Sequence, residues 1–161
     1  MKGGVMFRKN YTIKIYSKIG LVVHLSQMIE YNLANIFAFN EILEGFKETD
    51  SMYLYEYNQL AQKANEWYES LNKMELGRSL ENFKGTTALG MKLTSRIDKI
   101  RIRRNYYIHN IFKDDLKTQR ISSNPLQLMS DLEALIEEMA AVNDQLCVIF
   151  NQYKAKYKLI Y

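Results

Sequence analysis

Apolar positions recur along this chain in the alternation of three and four that marks one face of an α-helix, and four stretches carry it. From about Ser17 to Phe46, Val22, Leu25, Ile29, Leu33, Ile36 and Leu43 fall on one side. Gly45 stands where that helix can end, and Thr49-Asp50-Ser51 offers N-cap residues for the next. The second stretch, Met52 to Leu71, is rich in aromatics (Tyr53, Tyr55, Tyr57, Trp67, Tyr68). A short helical piece around Met74 to Phe83 follows, then a break at Lys84-Gly85-Thr86-Thr87. The third, from about Ala88 to Phe112, sets Leu93, Ile97, Ile100, Tyr107 and Ile111 along one side, a regularity that outweighs the weak helix propensity of Ile and Tyr. A polar loop is predicted from Lys113 to Ser123. The fourth opens on Asn124-Pro125, an N-cap residue and then proline at the first helical position. Its seam is the clearest in the chain: Leu128, Leu132, Leu135, Met139, Val142, Leu146, Ile149 and Tyr153. Such helices pack at shallow angles, and the predicted fold is all-α. It is an up-and-down four-helix bundle with a short extra helix between the second and third long ones.

Composition narrows this further. The 161 residues suit one domain, and one proline with seven glycines leaves too little turn punctuation for a sandwich or barrel. With 47% hydrophobic and 25% charged residues the chain is globular rather than disordered. The single cysteine, Cys147, excludes an internal disulfide or a cysteine zinc cluster, fits a reducing compartment, and lies on the seam side of the last helix as a core residue. The apolar run Ile19 to Leu25 is interrupted by His24 and is far too short to span a bilayer, and the opening segment lacks a signal-peptide pattern. The expectation is a cytoplasmic protein without a membrane partner. Residues 1–16 form a basic N-terminal segment, 17–155 one helical domain, and 156–161 a short basic tail.

The net charge of +4 is mild, but its distribution is uneven. Residues 1–20 hold five bases and no acid, and residues 96–120 hold eight bases and three acids, whereas residues 41–81 hold nine acids and four bases. Such segregation suits a basic face presented to a polyanion, and equally a salt-bridged surface.

One base falls where the periodicity reserves an apolar side chain. Four residues beyond Ile100 the seam of the third helix reaches Arg104, inside the stripe made by Ile97, Ile100, Ile108 and Ile111. A guanidinium there is costly unless it is paired or reaches water. It either snorkels or pairs with a carboxylate of a neighbouring helix, Glu30 being a candidate, or it is held in a cleft with its donors toward a phosphate. His109 lies five residues on, about 140° around an α-helix and about 7.5 Å along it. Arg101, Asn105 and His109, spaced by four, form a polar strip at the edge of the stripe.

The string Arg104-Asn105-Tyr106-Tyr107-Ile108-His109, followed by Asn110-Ile111-Phe112, resembles the motif of the HEPN superfamily: an arginine, a polar residue, then a histidine within a four-helix domain. The acid-bearing first helix (Gln27, Glu30, Leu33), the piece Leu76-Gly77-Arg78-Ser79-Leu80 and the long last helix sit where such domains place comparable elements, so that the resemblance covers roughly residues 18–155. It implies a metal-independent endoribonuclease with no cofactor, whose two motifs meet across a homodimer. Arg104 would bind and polarise the scissile phosphate, His109 would be the general acid/base, and Asn105 would hold the imidazole or the phosphate. Arg101, Arg103, Tyr106 and Lys113 are the accompanying RNA-binding candidates, with Glu30 in support. A toxin or phage-defence role is consistent with that family, with a cognate antitoxin or regulatory protein as partner. The alternative is a non-catalytic HEPN-like dimer that binds RNA or protein through the same strip. The residue chemistry suits the first reading, because imidazole is apt for proton transfer near neutral pH and a guanidinium for charge building on phosphorus.

Other sites are weaker. His24, the second histidine, has no partner at HxxxH or ExxH spacing, so no metal site is expected. Gly3-Gly4 and Gly85 to Gly90 match no phosphate-cradling loop. Most of the twelve tyrosines read as core or interface, Tyr106 and Tyr107 being those inside the motif, and Lys154, Lys156 and Lys158 as a solvated helix end.

Overall fold

A computed structural model describes residues 3–49, 57–73 and 89–160, and each of these is helical except Leu89, Gly90, Gln119 and Asn124. In chain order α1 is Gly3–Thr49, α2 Tyr57–Lys73 and α3 Met91–Asn105. A single π-helical turn, Tyr106–Asn110, leads into α4 (Ile111–Thr118), a one-turn α5 (Arg120–Ser123) and α6 (Pro125–Ile160). The all-α expectation holds for these residues. The short helix expected around Met74 to Phe83 and the break after it lie outside them, as do Asp50 and Ser51 of the cap cluster and residues 52–56 of the second stretch, with Tyr53 and Tyr55.

The helix boundaries differ from the periodicity at both ends of α1, which runs past Gly45 to Thr49, and at the start of α3. α1 starts well before Ser17 and passes through residue 16 without a break, because Ile15 and Ile19 continue the Val22 seam backward by four and three, and both are buried. At the other end of the seam Ile42 is buried, whereas Leu43 is only half-buried: here the covered arc widens to take in Phe37, Ala38 and Phe39. α3 starts after Gly90, whose φ of 73° is in the left-handed region that only glycine adopts at little cost. The Gly90 carbonyl then accepts both the backbone N–H of Thr94 at 3.2 Å and its hydroxyl at 3.0 Å.

The predicted polar loop from Lys113 to Ser123 is instead α4 and α5. Gln119, at φ 50°, is the left-handed residue that ends α4 through its N–H on the Asp115 carbonyl (2.8 Å). The Asp115 carboxylate then accepts the N–H of Ile121 at 2.6 Å, and Ile121 is buried. A local side-chain bond and one apolar anchor thus replace the hydrophobic periodicity that this segment lacks.

The chain forms two compact units, Met1–Gln27 with Lys99–Ala141, and Met28–Asp98 with Val142–Tyr161. In the first, the buried side chains are Ile15, Ile19, Val22 and Leu25 of α1, Ile100, Tyr107, Ile111 and Ile121, and Leu128, Leu132, Leu135 and Met139 of α6. Lys18 pairs with Glu133 at 2.7 Å. In the second, Ala38, Phe39, Ile42 and Leu60 form a cluster on which Ala64, Trp67, Phe150 and Tyr153 pack. Trp67 also meets Phe37 edge-on at 5.2 Å. Here Asn32 and Asn143, both buried, share a hydrogen bond of 2.9 Å between side-chain amides, and the Asn32 amide also reaches the Cys147 sulfur at 3.4 Å. Lys154 and Lys156 do more than face water: each ammonium lies over a ring of its own helix, Phe150 at 5.0 Å and Tyr153 at 5.6 Å.

Candidate functional site

α3 delivers Arg101, Arg103, Arg104 and Asn105 in its last turns, and the π turn delivers Tyr106 and His109. The seam behaves as its spacing implies, since Leu93, Ile97, Ile100, Tyr107 and Ile111 are buried, and Arg104, in the seam position between Ile100 and Tyr107, is half-buried. Asn105 and Arg101 are half-buried and His109 is exposed. Glu30 is buried in the other unit.

The turn between Arg104 and His109 is not α-helical. The N–H of Ile111 bonds to the carbonyl of Tyr106, five residues back, which is the i→i+5 register of a π turn. A π turn takes up an additional residue per turn. Residues after Tyr106 are therefore set back around the axis by part of one ~100° step, and His109 rotates from the ~140° of a regular helix toward the side of Arg104. The motif's arginine and histidine thus stand closer in angle than an unbroken α-helix would put them, with the imidazole in solvent and the guanidinium partly enclosed.

Among the RNA-binding candidates, Arg103 and Tyr106 have partners within the protein. Arg103 donates to Glu138 at 3.1 Å and to the Asp131 carbonyl at 3.4 Å, both on α6. The Tyr106 hydroxyl accepts from Arg120 at 3.0 Å, and the Arg120 guanidinium also lies 5.6 Å from the Tyr106 ring centre and reaches the Asp131 carboxylate at 3.3 Å. The Tyr106 bond, more than any other factor, holds Arg120 above its ordinary pKa. Neighbouring Tyr107 is buried, and burial first, then the Asp131 charge, pushes its hydroxyl up. Arg120, Asp131 and Glu138 thus clamp the end of α3 and the π turn onto α6. Nothing in the sequence singles them out, because a carboxylate on a seam-bearing helix has no local signature of the base it will meet.

Lys113 is exposed, four residues beyond His109 on the same face, with Phe112 and Leu116 beside it. The unit that carries the motif holds twelve Lys/Arg and six Asp/Glu, whereas the other holds ten and twelve. Three of those six acids, Asp131, Glu133 and Glu138, are already bound to bases of the same unit. The motif therefore lies in the more basic of the two units.

Among the described residues no group of three or more His, Cys, Asp or Glu stands together as a metal site. Nor is any described helix long and apolar enough to cross a membrane. No family model matches the chain, and no curated protein or solved structure matches it either.

Proposed function

We infer that the protein is a metal-independent endoribonuclease of HEPN type, acting as a homodimer in which the Arg104–His109 motifs of two copies complete each other's sites. The supporting observation is the π turn placed within the motif, which exposes His109 while Arg104 stays half-buried one turn earlier, on the basic unit. π turns that interrupt α-helices are frequent at functional positions.

In this reading a ribose 2′-hydroxyl attacks the adjacent phosphorus and the bond to the 5′-oxygen breaks, leaving a 2′,3′-cyclic phosphate and a free 5′-hydroxyl. His109 moves the proton, taking it from the 2′-hydroxyl or giving it to the departing 5′-oxygen. Arg104 holds the charge that builds on the non-bridging oxygens, with Asn105 as the positioning amide. Arg103, through its bonds to α6, and Tyr106, through its bond from Arg120 of α5, support the site, and Lys113 meets the phosphates of the strand. A toxin or defence role with a cognate antitoxin belongs to the same proposal.

One observation favours a second reading, a non-catalytic RNA- or protein-binding module: His109 is exposed rather than enclosed. Incubation of assorted RNAs in EDTA with wild type, His109→Ala and Arg104→Ala separates the two. Cleavage that persists in EDTA, disappears in both variants and leaves cyclic phosphate ends is the expected result. Salt-sensitive RNA binding without cleavage would establish the binding module instead.

A further inference from the structure

One turn beyond His109 the surface carries an aromatic pair that neither the motif nor the core uses. The rings of Tyr16 on α1 and Phe112 on α4 meet edge to face, centroids 5.5 Å apart and planes at 74°. Both are large apolar side chains left in the open, Tyr16 50% and Phe112 46% exposed. Phe112 and Lys113 follow His109 by three and four residues, in the first turn of α4 just past the π turn. Lys14, Lys113 and Lys117 are exposed on the two helices that carry the rings, against Asp114 and Asp115 on α4.

An edge-to-face pair satisfies one edge and one face and leaves the remaining ring face available for stacking. Exposed aromatics set among lysines are the elements from which single-strand nucleic-acid sites are built: charge holds the backbone and a π-face takes each base. The surplus of bases in this unit is complementary to a polyanion.

We propose that Tyr16 and Phe112 form a stacking subsite for an unpaired nucleobase of a single-stranded nucleic acid whose backbone lies along Lys113 and Lys117. This rests on the ribonuclease reading and deepens it: a base near the scissile phosphate unstacks onto the ring pair, and duplexes are poor ligands because their bases are not free to leave the stack.

The test is fluorescence anisotropy in the non-cutting His109→Ala background, at one fixed salt concentration. The probes are a labelled single-stranded oligouridylate, the same strand with abasic sites, the DNA strand of matching length, and a duplex. Phe112→Ala and Phe112→Leu are expected to weaken the single strand about 5- to 150-fold, the range of one base–aromatic stack. Phe112→Trp retains affinity, and the abasic strand does not distinguish the variants. Similar losses for RNA and DNA place the recognition on the base, and a larger loss for RNA adds the 2′-hydroxyl to it. Unchanged affinity in Phe112→Ala overturns the proposal, as does an equal loss for the abasic strand. Sedimentation of wild type beside Phe112→Ala tests the competing occupant: a dimer that falls to monomer makes this a protein interface and refutes the subsite. A wild type that binds through Phe112 but never cuts would refute the nuclease reading and leave the subsite standing. One that cuts normally with Phe112→Ala unchanged would do the reverse.

Discussion

Arg103 and Arg104 are adjacent in sequence, and in the proposed mechanism only Arg104 meets the scissile phosphate. The Arg103 guanidinium is bound to Glu138 at 3.1 Å, with side chains 39% and 30% exposed, so solvent screening holds the pair to about 0.5–1 kcal/mol. The 3.4 Å bond to the Asp131 carbonyl is long and adds less. Arg103→Ala should therefore lower the urea midpoint by about 0.2–0.5 M, taking a slope of about 2 kcal/mol/M. RNA cleavage should stay within about threefold of wild type, because no transition-state contact is lost. Arg104→Ala should cost about 10²–10³ in kcat, the usual loss on removing a donor from developing charge. Arg104→Lys should restore little, since an ammonium lacks the guanidinium's planar fork. The assay pairs urea unfolding followed by circular dichroism with single-turnover cleavage of a labelled RNA. A hundredfold loss in Arg103→Ala with Arg104→Ala cutting normally would refute the reasoning and make Arg103 the motif arginine.

Asn32→Leu and Asn143→Leu should each cost about 1–3 kcal/mol, since each strands a buried amide. The double variant should cost less than their sum, by a coupling of about 0.5–3 kcal/mol; strict additivity in urea unfolding would show that the amides are not each other's partner. Gln119→Gly should raise the melting temperature by about 2–4 °C, because glycine relieves about 1 kcal/mol at a φ of 50°; a fall would contradict the left-handed cap. Glu41 is pushed up by burial, but its bonds to Lys63 and Trp67, with the Lys63 charge, outweigh that and hold it below its ordinary value. A lowered folded pKa contributes stability above the unfolded value of about 4.3, lost as pH falls through the folded one. Glu41→Gln should therefore lower the urea midpoint at pH 7 and converge on wild type only once the pH has fallen through the lowered folded pKa; an equal deficit at both ends would remove the charge from the explanation.

What the residue pattern alone determined is the helical class, the fourth helix from Pro125, the burial of its seam through Leu146, and the anomaly at Arg104. All of these follow from period and local chemistry: an apolar residue every three or four positions asks for one covered face, and Asn-Pro marks a start wherever it occurs. The early start of α1 is legible too, in Ile15 and Ile19, which carry the seam backward past Ser17. The π turn is not, because its i→i+5 register differs from the α register by a single hydrogen-bond partner. Neighbouring helices decide that choice by how they seat Tyr107 and Ile111. The same holds for the Arg103–Glu138 and Arg120–Tyr106 clamps and for the Tyr16–Phe112 pair, whose members lie 35, 14 and 96 positions apart. Sequence placed a histidine five residues after an arginine on a helix. Only the tertiary packing decided how far around that helix the two stand and which rings stayed in the open beside them.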